Sequence, residues 1–191
     1  MPWANRCAHS TDGTLRRPIH DVTEKLGNAW VTGSGSRAPN PDGMAVNTFG
    51  CQIAQVAVDT LTGLITVERV VAVHDVGRVV NPMGARSQVM GGILQGIGFA
   101  LSEERVVDPT TGTVVNAGLE DYKIPTLADL PEVECRFVGK PDPELALGIK
   151  GLGEPPIIPT PGAIGNAVSH ALGLRLREAP YTPRRVLEAL R

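Results

Sequence analysis

The chain has 191 residues, a formal net charge of −2 and 4% aromatic residues. An acidic balance with few stacking side chains argues against a partner recognised through a nucleic-acid backbone. The three cysteines, Cys7, Cys51 and Cys135, are far apart and form no CxxC pair, so neither a disulfide framework nor a protein-ligated zinc or iron-sulfur site is expected. No stretch approaches the roughly 18 apolar residues of a membrane span. The composition predicts a soluble, cytoplasmic protein.

The N-terminal quarter of the chain has no sustained hydrophobic period. Residues 1–47 alternate charges with glycine, proline and asparagine, and the SGSRAPNPDG run at 34–43 is a loop by composition. We interpret this part as a poorly defined segment. A regular domain is expected over residues 48–191.

That domain opens with two β-rich runs, at 51–59 and 64–75. A TLTG turn ending on Gly63 separates them, which predicts a β-hairpin. Residues 133–138 form a further strand candidate. Because the strands come in hairpins and show no βαβ rhythm, the expected class is α+β with a mixed, hairpin-rich sheet.

Three helices are predicted, with glycine-rich and capping features. The first covers residues 81–104, with Asn81 as N-cap and proline at the first helical position. The others cover 160–173 and 182–191, the latter capped by Thr182. In the first helix one stripe without bulk carries two amides and suits close approach by a backbone or a polar ligand. The stripe consists of Gln88, Gly91, Gly92 and Gln95.

The stretch KGLGEPPIIPTP at 150–161 holds a single carboxylate, Glu154. Gly151 and Gly153 permit close approach of a neighbour, whereas the two prolines after Glu154 lock their own φ angles and restrict the residue before each. The pattern predicts that something bulky lies against a stiff loop. An alternative from the residues alone is a loop carboxylate that helps to cap the following helix.

Four stretches in this order resemble the C-terminal part of the molybdenum-binding subunit of the xanthine dehydrogenase and aldehyde oxidase family. The resemblance covers about residues 48–189 and does not extend to residues 1–30. Four motifs in order are far more specific than any one of them. They are VAVHDVGRVVNP (71–82), GGILQGIGFALSEE (91–104), LEDYKIP (119–125) and KGLGEPPIIPTPGAIGNAV (150–168).

The resemblance implies a role for five residues. Glu154 is implied as the general base of a hydroxylation, a task suited to a carboxylate held in a dry pocket. Gln95 is implied to hydrogen-bond the pterin of the cofactor, since an amide donates and accepts without adding charge beside an anion. Gly96, Gly151 and Gly153 are implied to let the cofactor and substrate approach the backbone. No residue of the chain is implied as a ligand of the metal.

The same resemblance implies the cofactor and the partners. The cofactor is molybdenum bound to molybdopterin, in its plain form or as the cytosine dinucleotide. Iron-sulfur clusters and FAD belong to partner subunits, and the remaining polypeptide of the molybdenum site completes a pocket that this chain builds only in part. The substrate is a small molecule, an aldehyde or an N-heterocycle, and the isolated chain is expected to be inactive.

Other readings remain open at this stage. The chain is alternatively a non-catalytic remnant or assembly module that keeps the fold without bound cofactor. His74 and Asp75, at the end of a predicted strand, are interpreted as a hydrogen-bonded structural element without chemistry. Lys150 is a candidate for attracting an anionic substrate or phosphate, but it is expected to be solvated, as most loop lysines are.

Overall fold

The computed structural model describes residues 6–8, 16–27, 32, 34, 42–43 and 47–191. The chain divides into two compact units, residues 1–39 and 40–191. In the first, strand β1 (Arg6–Ala8) pairs antiparallel with β2 (Arg16–Pro18), and helix α1 (Ile19–Leu26) follows. These elements were not predicted. The division at residues 47 and 48 stays a prediction, and most of the loop expected at 34–43 lies outside the described residues.

The second unit begins with the predicted hairpin, which the structure confirms. Strand β3 (Phe49–Val58) pairs antiparallel with β4 (Ile65–Asp75). In the turn between them, the Asp59 carboxylate accepts from the Leu61 amide at 2.8 Å, and Gly63 has a φ of 76°. Only glycine adopts such an angle without strain, so the Gly63 position fixes where the turn ends.

Strand β5 (Glu132–Val138) pairs with β4 in parallel, giving a mixed sheet in the order β3-β4-β5. A parallel pair requires a crossover, and helix α2 (Pro82–Leu101) lies within it. The expectation that the chain lacks a βαβ unit is therefore wrong. The long irregular segment between α2 and β5 separates the helix from its second strand and hides the rhythm in the sequence.

The predicted helices are confirmed with small shifts at their ends. In α2 the Asn81 side chain caps the helix by accepting from the Gly84 amide at 3.0 Å. Helix α3 (Pro159–Leu172) closes on Gly173, which is left-handed, as C-terminal glycines commonly are. Helix α4 (Pro183–Ala189) starts after its predicted cap, Thr182. No helix in the described part of the chain is long and apolar enough to cross a membrane.

One face of the sheet forms the core, because α2 and α3 both pack against it. The buried cluster joins β4 and β5 to both helices, and the partly buried Ala54 and Val56 of β3 pack against it. Its members are Val67, Val70, Ala72, Val89, Ile93, Ile97, Ala100, Val133, Ile164 and Val168. On the opposite face the side chains of Phe49 and Ile53 are 66% and 69% exposed. The described residues therefore cover one face of the sheet and leave the other face open.

Candidate active site

The loop that carries Glu154 is fastened at its start to the end of β4. Lys150 donates from its ammonium to the Asp75 carboxylate at 2.7 Å and from its backbone amide to the Val76 carbonyl at 2.9 Å. Asp75 also accepts from the amide of Gly77 at 2.9 Å. The bond from Lys150, followed by that from Gly77, holds the pKa of Asp75 below its usual value. Lys150 is paired, so the expectation of a solvated lysine is wrong. Asp75 is hydrogen-bonded as predicted, but both ring nitrogens of His74 are buried without a hydrogen-bond partner among the described residues, so the prediction is wrong for His74.

Along its middle the loop lies against the glycine-rich face of α2. The side-chain amide of Gln88 donates to the Gly153 carbonyl at 2.6 Å. One turn further along α2, a Cβ added to Gly92 would lie 2.6 Å from the Cβ of Pro156. A further turn on, a Cβ on Gly96 would overlap the side chain of Thr160. The missing side chains thus allow α2 to approach the loop and the start of α3 closely.

From the other side, the loop is tied to strand β3 by Gln52. Its side-chain amide nitrogen donates to the Pro156 carbonyl at 2.7 Å, and its oxygen accepts from the Thr160 hydroxyl at 2.6 Å. All three groups are buried: Gln52 is 8% exposed and Thr160 is fully buried. Buried polar groups that satisfy one another rigidify the region that they join.

Glu154 itself stands out from this framework. Its side chain is exposed and makes no hydrogen bond or ion pair with the described residues, although its carbonyl accepts from the Ile157 amide at 3.0 Å. A Cβ built on Gly151 or Gly153 meets nothing within 4 Å. The two glycines therefore present bare backbone immediately before Glu154, and the cap role considered for this carboxylate is not observed.

The predicted amide, Gln95, lies on the exposed side of the same helix. Gln88, Gly91 and Gln95 follow one another at three and four residues, a spacing that places them in one row along α2. All three are exposed, and a Cβ on Gly91 meets nothing within 4 Å. Gly96, by contrast, is buried and its observed contact is with Thr160. Its predicted contact with a cofactor stays a prediction.

The exposed row and the loop together fit one side of a molybdopterin cofactor. They offer to a large polar group two amides and, at Gly91, Gly151 and Gly153, bare backbone beside which a built Cβ meets no atom within 4 Å. Among the described residues, no group of three His, Cys, Asp or Glu side chains is placed to hold a metal ion. A metal bound through its pterin needs no such group, so the residues present are compatible with that cofactor.

Sequence reasoning missed the residues that hold the loop. Gln52 gave a weak signal, as one of two amides within the largely apolar, β-rich run at 51–58. Gln88 was placed on the correct helix face but was given no partner, and the pairing of Lys150 with Asp75 was not foreseen. Each of these residues bonds to a group at least 65 positions away in the chain.

The fold is that of molybdenum-dependent oxidoreductase domains. The aldehyde oxidoreductase of Desulfovibrio gigas has a matching solved structure, with a TM-score of 0.68 and 34% identity over 75% of this chain and 15% of that one. Residues 10–131 match the family model described as molybdopterin cofactor-binding domain. The chain therefore belongs to the molybdopterin cofactor-binding domain family. The match begins at residue 10, so the expectation that residues 1–30 lie outside the resemblance is wrong for most of that segment.

Curated proteins similar to this chain are named as molybdenum-binding subunits. The chain is 46% identical over 140 residues to the xanthine dehydrogenase molybdenum-binding subunit of Escherichia coli O157:H7, which is 73% of this chain and 19% of that protein. It is 39% identical over 145 residues to the aldehyde oxidoreductase molybdenum-binding subunit of Escherichia coli K12, covering 75% and 20% of the two chains. The chain thus spans about a fifth of the length of these relatives. Glu154 lies beyond the residues matched by the family model.

Proposed function

We propose that this chain forms part of the molybdenum site of a hydroxylase that oxidises an aldehyde or an N-heterocycle, with Glu154 as its general base. The observation that carries the proposal is the placement of Glu154. Its side chain is exposed directly after two open glycines, Gly151 and Gly153, while its loop is fastened to both α2 and β3. A free carboxylate on a fixed backbone is what a general base requires.

Each proposed site residue has a distinct task. Glu154 accepts a proton as the substrate is hydroxylated, which an amide of the same shape does not do. Gln95 donates to and accepts from the pterin on the exposed row of α2. Gly151 and Gly153 leave room for the cofactor and the substrate, and Gly96 contributes by letting α2 lie against the start of α3. When bound, molybdopterin-held molybdenum supplies the two-electron acceptor for the oxidation.

The assembly follows from what this chain supplies. We propose that it corresponds to the second molybdenum-binding domain of a cytoplasmic enzyme, and that the remaining polypeptide of the molybdenum site covers Glu154. Iron-sulfur and flavin subunits then carry electrons away, and the pterin is the plain form or the cytosine dinucleotide. The names of the relatives, which are molybdenum-binding subunits of xanthine and aldehyde oxidoreductases, support the presence of partner subunits. The isolated chain is expected to be inactive.

The first test is the mass and metal content of the native particle purified through a tag on this chain. We expect one molybdenum and one pterin per chain in a particle much heavier than 20.2 kDa. Metal analysis and fluorescence of the oxidised pterin measure both without an activity assay. A light particle without molybdenum or pterin would instead identify the chain as a non-catalytic remnant or assembly module.

The second test is Glu154→Gln in that particle, assayed with xanthine, benzaldehyde and nicotine against a dye acceptor. We expect turnover to fall by roughly 10²- to 10⁴-fold, the usual contribution of a general base, with molybdenum content unchanged. Glu144→Gln is the matched control, because Glu144 is another exposed loop carboxylate without an ion pair in the described structure. Full activity of Glu154→Gln would remove Glu154 from the role of base.

A further inference from the structure

The position of Glu154 depends on its backbone, because no described residue holds its carboxylate. Two side-chain amides act on that backbone from opposite sides. Gln88 holds the carbonyl of Gly153, the residue before Glu154, and Gln52 holds the carbonyl of Pro156, two residues after it. Gln88 is exposed, whereas Gln52 is buried and makes two bonds.

We propose that Gln52 is a positioning residue for the base, an inference that rests on the proposed function of Glu154. It connects the loop to the edge strand β3, which is paired along its whole length with the central strand β4. The bond from Gln52 to Pro156 joins residues 104 positions apart. The bond thereby fixes the position of the Glu154 loop relative to the sheet.

The chemistry of the partners fixes which way the amide of Gln52 points. A carbonyl oxygen only accepts, so the group facing Pro156 must be the NH₂. The oxygen of Gln52 then faces the hydroxyl of Thr160, which is also 3.1 Å from the Pro156 carbonyl. Neither methionine, which has no strong donor, nor glutamate, which has no NH₂, reproduces this arrangement.

The link from Pro156 back to Glu154 is short and stiff. Pro155 and Pro156 each have a φ locked by the ring, and Glu154 is itself restricted because it precedes a proline. The turn is closed by the bond from the Ile157 amide to the Glu154 carbonyl at 3.0 Å. Fixing the Pro156 carbonyl therefore limits the directions in which the Glu154 side chain projects.

Hydrogen exchange tests the hold on the loop in the full chain, without cofactor or turnover. In Gln52→Met we expect the Ile157 amide to exchange roughly 2- to 10-fold faster, in line with the loss of the buried hydrogen bond from Gln52 to the Pro156 carbonyl. Gln55→Met is the matched control on the same strand, since Gln55 is exposed and bonds only to the exposed Glu68. Unchanged exchange at Ile157 in Gln52→Met would overturn the proposal.

Kinetics of the assembled enzyme separate positioning from a general structural role. We expect Gln52→Met to lower kcat on the order of 10- to 100-fold, the effect of a displaced catalytic group, with KM and molybdenum content little changed. Gln55→Met should turn over normally. In a Glu154→Asp background the base is already displaced. Adding Gln52→Met should then lower kcat by less than about threefold, because two changes that act through the same group are not additive. Equal losses in both backgrounds would overturn the proposal.

Two further outcomes keep this inference distinct from the function on which it rests. If Glu154→Gln is slow but Gln52→Met is fully active, only the positioning role fails; if Glu154→Gln is fully active, the proposed function fails first. Should Gln52→Met not fold, Thr160→Val removes one of the two bonds of Gln52 and keeps the other. It should show the same changes at reduced size, and normal turnover with normal exchange would refute the proposal.

Discussion

Two adjacent glycines in α2 provide a direct test of how closely the helix approaches the loop. A Cβ on Gly92 would lie 2.6 Å from the Pro156 Cβ and 3.1 Å from the Ile157 backbone nitrogen, whereas a Cβ on Gly91 meets nothing within 4 Å. Both positions are inside the same helix, so Gly→Ala gains about 1 kcal/mol of helix propensity at each. The difference between the two variants therefore isolates the packing term.

Overpacking a tight contact costs about 1–3 kcal/mol. We expect Gly91→Ala to be more stable than the parent chain and Gly92→Ala to be less stable than Gly91→Ala by that amount. The proline ring and backbone that meet the new methyl group are rigid, so the strain is relieved only by shifting α2 away from the loop. Such a shift would also displace the Gly153 carbonyl from Gln88.

Urea unfolding of the full chain, followed by far-UV circular dichroism, measures the difference. With an m-value of about 2 kcal/mol per molar urea, the midpoints of the two variants should differ by roughly 0.5–1.5 M. Coincident midpoints would mean that α2 and the loop are not in the contact described. A lower midpoint for Gly91→Ala than for the parent would contradict the open space beside Gly91.

Two further predictions concern pH. Asp75→Asn should lower the free energy of unfolding at neutral pH by about 1–3 kcal/mol. Because the folded pKa of Asp75 lies below its usual 3.8, the stabilisation by its carboxylate is complete above pH 3.8 and is lost as the pH falls through the folded pKa. Urea midpoints of the parent chain and the variant, measured from pH 7 to 2, test this. His74 is fully buried, and burial lowers its pKa below 6.5, so its protonation in the unfolded state destabilises the fold as the pH falls below about 6.5. His74→Leu should flatten this part of the pH profile, and an unchanged profile would refute the assignment.

The parts of the fold that follow local chemistry could be predicted from the sequence. The turn at Gly63 and the caps at Asn81 and Thr182 depend on residues a few positions apart, and each is found where expected. The parallel pairing of β5 could not be predicted in the same way. It depends on a crossover whose helix and second strand are separated by an irregular segment, so that no local period marks the unit.

The same distinction between local and distant partners applies to the candidate site. Glu154 could be singled out as a candidate because the residues that make it distinctive, the glycines before it and the prolines after it, are its sequence neighbours. Gln52 and Gln88 were not found as partners because each donates to a backbone carbonyl. Every residue has such a carbonyl, so the accepting position leaves no trace in the sequence. A hydrogen bond that holds a loop is therefore hardest to infer from the sequence when a side chain donates to a distant backbone carbonyl.

The exposure of Glu154 and the open face of the sheet lead to one conclusion about the proposed enzyme. A general base works best where bulk water does not compete for the proton that it accepts, yet the described residues leave Glu154 exposed. They do fix its backbone, from α2 on one side and β3 on the other. In the proposed enzyme, this chain would therefore set the place of the base, and the surface that excludes water would come from the polypeptide proposed to cover it. A variant of Gln52 should then lower kcat of the assembled enzyme by moving the base, while the exclusion of water by the covering polypeptide stays unchanged.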